Sequence, residues 1–120
     1  MNVKRIDAAL QFCLDPEKSA AWYCDFLGME TTPYDAPLFT FDGGTTLLLA
    51  PGSPGTGRGG TGVYFEVDDV DQAYRERVAR GYKFNEEPFD IPPGRLVTIN
   101  DPDGNIVGLE DHSKGGIARA

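Results

Sequence analysis

The chain has 120 residues, 40% of them hydrophobic and 25% charged, which predicts a single globular domain over residues 1–120. A formal net charge of −8 argues against nucleic acid as a partner, because a phosphate backbone repels an acidic surface. No apolar run approaches membrane-spanning length and the first residues lack a secretion-signal pattern, so we expect a cytoplasmic protein with no membrane contact.

The first half of the chain predicts a strand, a helix and three further strands. Residues 6–14 alternate loosely, as a strand does. Asp15-Pro16-Glu17 predicts the start of a helix, since Asp15 can cap free amides and Pro16 fits the first turn. Gly28 predicts the end of that helix. Further strands are expected near residues 30–32, 38–41 and 45–50.

The second half repeats this order. A strand is expected at 63–67, followed by a helix that Asp68-Asp69 cap and Gly81 closes. Three strands are then expected at 82–85, 95–100 and 106–110. Asp103-Gly104 predicts a tight hairpin turn between the last two.

These repeats predict an α+β fold made of two βαβββ modules, at about residues 5–50 and 62–112. Their strands are expected to form a curved, partly closed mixed sheet with the helices outside and an apolar hollow inside. A hollow between modules is a common place for a ligand. A Gly- and Pro-rich linker at 51–61 and a flexible tail at 113–120 complete the chain. Cys13 and Cys24 are expected to be free thiols.

Three segments carry a resemblance to a known family: AAWYCDFLG (Ala20 to Gly28), YFEVDDVDQA (Tyr64 to Ala73) and DPDGN (Asp101 to Asn105). In this order and spacing they resemble the vicinal oxygen chelate superfamily of glyoxalases, bleomycin-resistance proteins and extradiol dioxygenases. The resemblance spans about Ile6 to Glu110. It implies the duplicated fold, a homodimer and, in the family's enzymes, a divalent metal held by four side chains.

The positions that the resemblance implies for those ligands fall on Ala8, Leu47, Gly62 and Gly108, none of which can bind a metal. The one histidine, His112, follows the last predicted strand, and we expect it to be a solvated residue of the tail. The sequence therefore predicts no metal, no other cofactor and no catalytic residues.

Side chains alternate along a strand, so residues that share parity with those four positions should face the hollow. Small residues at Ala8, Gly62 and Gly108 should leave room there for an organic molecule. The full set expected to face the hollow is Ala8, Leu10, Phe12, Leu47, Leu49, Gly62, Tyr64, Glu66, Ile106, Gly108 and Glu110.

Eight residues are the candidates for ligand binding. Two carboxylates among them could bind an ammonium or guanidinium group, and three aromatic rings could stack on a flat ligand. Exposed carboxylates in water and ordinary core packing are the alternative readings. The candidates are Phe12, Leu47, Tyr64, Glu66, Phe89, Arg95, Gly108 and Glu110.

The leading functional hypothesis is metal-independent binding or sequestration of a small hydrophobic or cationic organic molecule, such as an antibiotic. One alternative is an enzyme of the same superfamily, a lyase or dioxygenase, whose divalent metal has displaced ligands such as Glu66 and Glu110. Another is a metal-free enzyme that uses those carboxylates with Tyr64 for acid–base catalysis. A partner-binding module is the last alternative.

Overall fold

The computed structural model describes residues 1–52 and 62–115. Most of the predicted linker, from residue 53, and the tail from residue 116 lie outside the described residues. No helix in the described part of the chain is long and apolar enough to cross a membrane. The elements are β1 (Ala8–Cys13), α1 (Pro16–Leu27), β2 (Leu38–Thr40), β3 (Thr46–Pro51), β4 (Gly62–Glu66), α2 (Val70–Ala79), β5 (Phe89–Ile91), β6 (Gly94–Asn100) and β7 (Ile106–Glu110).

The strands form two mixed sheets, and neither sheet is closed. The α+β class is therefore confirmed. By their contacts, the described residues divide into two compact units. The first unit comprises residues 1–52 and 101–105, and the second comprises residues 62–100 and 106–115.

Helix α1 begins and ends where the sequence predicts. The Asp15 carboxylate accepts a hydrogen bond from the Lys18 amide (3.2 Å), and Pro16 occupies the first turn. Gly28 ends the helix in the left-handed region, with φ of 69°, and its amide donates to the Cys24 carbonyl. Local sequence determines both ends, which is why they could be predicted.

The first sheet has the order β1-β3-β2, with β1 parallel and β2 antiparallel to β3. Helix α1 makes the crossover that a parallel pair requires. Its Tyr23 and Phe26 are fully buried, and the Tyr23 ring lies 6.1 Å from the ring of Phe39 in β2. These aromatic side chains form the core of the first unit.

The predicted facing of Leu47 and Leu49 is wrong. In the parallel register, Leu47 pairs with Ala9 and Leu49 pairs with Gln11, so both share the buried side of the sheet. Both leucines are almost completely buried. Leu48 pairs instead with Leu10, on the exposed side. The predicted alignment of β3 is therefore wrong by one residue. A shift of one residue moves every side chain of a strand to the other side of the sheet.

The second sheet has the order β4-β7-β6-β5, in which only β4 and β7 are parallel. Helix α2 connects β4 to the rest of the sheet. The Asp69 carboxylate caps the helix by accepting from the Gln72 amide (3.0 Å), as predicted. One side of the sheet is buried, through Val97, Ile99, Val107 and Leu109.

The strands predicted at 82–85 and near 30–32 are wrong. The first of these segments is irregular, and strand β5 lies further on, at Phe89–Ile91. Asn85 in this segment bonds β6: its amide donates to the Thr98 carbonyl (2.9 Å), and its side chain bonds Thr98 and Asn100. The second segment contributes a single bridge, between Thr32 and Leu38.

The loop of residues 101–105, which joins β6 to β7, belongs to the first unit. Gly104 has the positive φ (85°) that the turn prediction requires, but the loop is longer than the expected two-residue turn. The buried Asp101 carboxylate organises it by accepting from the Asp103 and Asn105 amides (2.9 and 2.8 Å). It also accepts from the Tyr23 hydroxyl (2.8 Å), which ties the loop to helix α1.

Candidate functional site

The exposed side of the second sheet brings together five of the eight candidate residues. Partners on neighbouring strands point to the same side of a sheet. One row across the strands is therefore Glu66, Glu110, Leu96 and Phe89, and Tyr64 lies beside Gly108 in the next row. We call this side, with Tyr64, Glu66, Phe89, Leu96 and Glu110, the open face.

Two aromatic side chains of the open face are half exposed. Tyr64 exposes 49% of its surface and Phe89 exposes 41%. The alternate residues Val107 and Leu109 are buried on the other side, so the predicted parity is confirmed for β7. The open face thus offers apolar rings at positions that the fold holds rigidly.

The Tyr64 ring fills the space at two glycines. A Cβ on Gly108 would lie 2.8 Å from Tyr64 Cδ2, and a Cβ on Gly62 would lie 2.9 Å from Tyr64 Cε1. Real Cβ atoms do not approach other atoms so closely. The expectation that Gly62 and Gly108 leave room for a ligand is therefore wrong, because the phenol ring already lies there.

Two neighbouring carboxylates of the open face share one imidazole. Glu66 and Glu110 are direct cross-strand partners, an unfavourable arrangement for two like charges. His112 lies between them, with Nδ1 3.3 Å from Glu66 and Nε2 3.4 Å from Glu110. The prediction that His112 is a solvated tail residue is wrong, since its side chain is only 19% exposed.

A sequence signal for His112 does exist. Residue 112 has the parity of Gly108 and Glu110, so a strand continued by two residues would place it on the open face. The predicted strand ends at Glu110, so the sequence prediction gives His112 no place on this side of the sheet.

Asp111 holds the chain in place between Glu110 and His112. Its buried carboxylate accepts from the amides of Val70 and Arg95 (both 2.9 Å) and from the Ser113 hydroxyl (2.6 Å). Burial alone would raise the pKa of Asp111, but the hydrogen bonds from Ser113, Val70 and Arg95 together lower it to about 2. The sequence analysis did not single out this residue.

Arg95 lies off the open face. It pairs with Asp90 across the strands, so its side chain projects from the opposite side to Leu96 and Phe89. The guanidinium lies 3.1 Å from Asp71 and 3.3 Å from Asp90. These ion pairs connect helix α2 to β5 through Arg95, so the role of this side chain is structural.

The two remaining candidates belong to the first unit and lie on opposite sides of its sheet. Phe12 is on the exposed side and packs on Gly52, where a Cβ would come within 2.7 Å of the ring. Leu47 is in the core. Ala8 shares the side of Phe12, and its methyl group offers no donor atom.

The donor atoms of the open face do not converge as a metal site would require. The two nitrogens of His112 face different carboxylates, on opposite edges of the ring. Within residues 1–52 and 62–115, no group of three or more His, Cys, Asp or Glu side chains could hold a metal ion. The residues at 8, 62 and 108 likewise lack the nitrogen or oxygen atoms that such an ion needs.

A duplicated strand–helix–strand arrangement with an exposed sheet side defines a class of small α+β binding and catalytic domains. Residues 5–109 match the Glyoxalase/Bleomycin resistance protein/Dioxygenase superfamily, and the chain belongs to this family. The resemblance stated from the sequence is thereby confirmed. No curated protein matches the chain significantly.

Solved structures of the family are similar over nearly the whole chain. TnmS3, an antibiotic binding protein from Streptomyces sp. CB03234, is 26% identical with a TM-score of 0.73, covering 94% of this chain and 99% of its own. A superfamily member from Sphaerobacter thermophilus DSM 20745 is 27% identical with a TM-score of 0.70, covering 91% and 98%. Lactoylglutathione lyase from Agrobacterium tumefaciens, at 22% identity and a TM-score of 0.73, covers 98% and 100% and shares the fold.

Proposed function

We propose that this protein binds a small, largely apolar organic molecule on the open face without using a metal ion. The observation that carries the proposal is the half-exposed Tyr64 ring beside two carboxylates, with a second half-exposed ring, Phe89, on the same side of the sheet at its other edge. A flat ring on the ligand stacks on Tyr64, and a cationic group on the ligand pairs with Glu66, two residues further along the same strand. Sequestration of an antibiotic needs affinity alone, and the similarity to TnmS3 supports this use of the fold.

The glycines support the metal-free part of the proposal. A metal-binding side chain at Gly62 or Gly108 would meet the Tyr64 ring where that ring now lies, and neither glycine has a donor atom of its own. The same ring is half exposed and free to contact a ligand from its other side. An aromatic surface thus lies where metal ligands would be in the enzymes of the family. A cytoplasmic location fits free thiols at Cys13 and Cys24.

The binding proposal is tested by fluorescence titration with proflavine, a planar aromatic cation, and with anthracene-9-carboxylate, a planar anion of similar size. We expect saturable binding of proflavine that Tyr64→Leu or Glu66→Gln weakens about tenfold, a loss of about 1.4 kcal/mol. Glu30→Gln removes the same charge at an exposed position of the first unit and should leave Kd unchanged. Equal affinity for both dyes, or wild-type affinity in Tyr64→Leu, would refute the proposal.

The metal-free part has its own test in elemental analysis. Protein purified without chelator and without added metal is expected to contain no stoichiometric Zn, Ni, Fe or Mn, because the donors at the expected positions are missing. One equivalent of any of these metals that survives dialysis would contradict this expectation.

Metal-free acid–base catalysis is the second candidate, and the position of His112 favours it. An imidazole that contacts two carboxylates within 3.4 Å has the arrangement of groups that acid–base catalysis uses. A turnover that Glu110→Gln and His112→Gln both abolish, in protein whose dye binding is intact, would establish this alternative. Its absence with all tested substrates leaves binding as the function.

A further inference from the structure

The first unit contains a cavity that shares no residue with the open face. It has a volume of about 340 Å³ and lies between helix α1 and the loop of residues 31–37. This volume is within the range of small-molecule sites, about 300–1,000 Å³. The sequence analysis gave no indication of it.

The helix contributes a wall of small side chains with a carboxylate at one end. Glu17, Ala21 and Cys24 follow each other at intervals of four and three residues, so they lie on one side of α1. Ala20 lies beside them. The small side chains in the middle of this wall account for the space above the helix.

The loop forms the other wall, and contacts with β2 and β3 hold its two ends. The Thr32 amide donates to the Leu38 carbonyl (2.7 Å), and its hydroxyl donates to the Thr40 hydroxyl (2.8 Å). Pro37 is buried, and its carbonyl accepts from the Leu49 amide (3.0 Å). Pro33 restricts the backbone at the other end of the loop. The ends of the loop are therefore attached to the first sheet, while Tyr34 and Asp35 between them are exposed.

The side chains that line the cavity favour a ligand that carries both a positive charge and an aromatic ring. The charged side chains that line the cavity are Glu17 and Asp35, and none of its lining residues is Lys or Arg. Tyr34 exposes 66% of its surface at the edge of the cavity. We infer that this cavity is a second binding site, for a small aromatic primary amine whose ammonium group pairs with Glu17 and Asp35 while its ring packs on Tyr34.

Cys24 provides a reporter inside the proposed site. Its thiol lines the cavity and is partly exposed, whereas Cys13 is buried. Reaction at Cys24, followed by peptide mass spectrometry, therefore measures events in the cavity.

The first experiment compares two methanethiosulfonate reagents of similar size, one carrying trimethylammonium and one carrying sulfonate. We expect the cationic reagent to modify Cys24 about tenfold faster than the anionic one, because the carboxylates concentrate cations in the cavity. The double variant Glu17→Gln/Asp35→Asn should bring the two rates close together. The double variant Glu30→Gln/Asp42→Asn removes the same two charges at exposed positions outside the cavity lining, and it should leave the ratio unchanged. A ratio that falls equally in both variants would show a general effect of net charge and would overturn the inference.

The second experiment measures protection of Cys24 from iodoacetamide, a neutral reagent. We expect 2-phenylethylamine to slow alkylation in a saturable way and 3-phenylpropionate, the matched anion, to have no effect. Tyr34→Ala should remove most of the protection. Equal protection by both compounds, or none by the amine on the wild-type protein, would overturn the inference without bearing on dye binding at the open face.

Discussion

Two glycines of the second unit are needed for different reasons, and an alanine substitution at each one distinguishes these reasons. A Cβ at Gly94 would overlap the backbone carbonyl of Asp111, whereas a Cβ at Gly108 would meet the ring of Tyr64. The Asp111 backbone follows β7 directly and is bonded to β6, so it yields little, but an aromatic ring at the surface can turn. We expect Gly94→Ala to lower the free energy of unfolding by about 3 kcal/mol and Gly108→Ala by about 1 kcal/mol.

Urea denaturation of the two alanine variants measures this difference. If Gly108→Ala were as destabilising as Gly94→Ala, the Tyr64 ring would be as rigid as the backbone, and the account of the open face would fail.

Asp111 is expected to make the stability depend on pH. Its folded pKa of about 2 is below the ordinary value of 3.8, so its contribution is fully present above pH 3.8 and is lost as the pH falls through 2. Asp111→Asn should cost about 2 kcal/mol at neutral pH, because charged hydrogen bonds to three amides and a hydroxyl are lost or weakened. The difference between the variant and the wild type should shrink below pH 3.8. A constant difference from pH 7 to pH 2 would contradict this role.

At the scale of elements, the bond from Tyr23 to Asp101 attaches helix α1 to the loop of residues 101–105. Burial and the neighbouring Asp101 carboxylate raise the pKa of Tyr23, which keeps the hydroxyl a donor. Tyr23→Phe removes one bond to a charged acceptor, and we expect a loss of about 2 kcal/mol in thermal or urea unfolding. Tyr34→Phe, the same change on an exposed side chain, should have no effect. An equal effect of both changes would show that the buried bond contributes nothing.

Elements with local signals were the ones that the sequence could predict. Helix α1 was predicted to within a residue because Asp15, Pro16 and Gly28 act on their immediate neighbours. The side of Leu47 could not be predicted, since it depends on a parallel partner far away in the sequence. Strand β5 was missed for a similar reason, because its pairing with residues 94–96 of β6 is not encoded by a local pattern in its own three residues.

The sequence predicted several residues of the candidate site, but it did not predict how their side chains are arranged. Parity with the ligand positions that the family resemblance implies placed Tyr64, Glu66 and Glu110 on one side of a sheet. No periodicity indicates that a tyrosine ring will cover two glycines, or that His112 will lie between two carboxylates. Those arrangements depend on rotamers, which respond to the whole environment of a side chain.

For the whole molecule, we expect a homodimer of twice 13.0 kDa, about 26 kDa. The exposed sides of the two sheets carry several large apolar side chains, among them Leu10 and Phe12, and association would remove such surface from water. Sedimentation equilibrium at micromolar concentration measures the mass. A species of 13.0 kDa under these conditions would contradict the expectation.

Residues 101–105 are encoded late in the gene, yet their side chains complete a core whose other residues come from the beginning. Cutting the chain once, between the two repeats, would therefore not release two autonomous halves. The amino-terminal fragment would retain the Tyr23 hydroxyl but lose its acceptor, and would require the missing pentapeptide to be supplied in trans. The amino-terminal repeat is thus completed by five residues that the carboxy-terminal repeat carries.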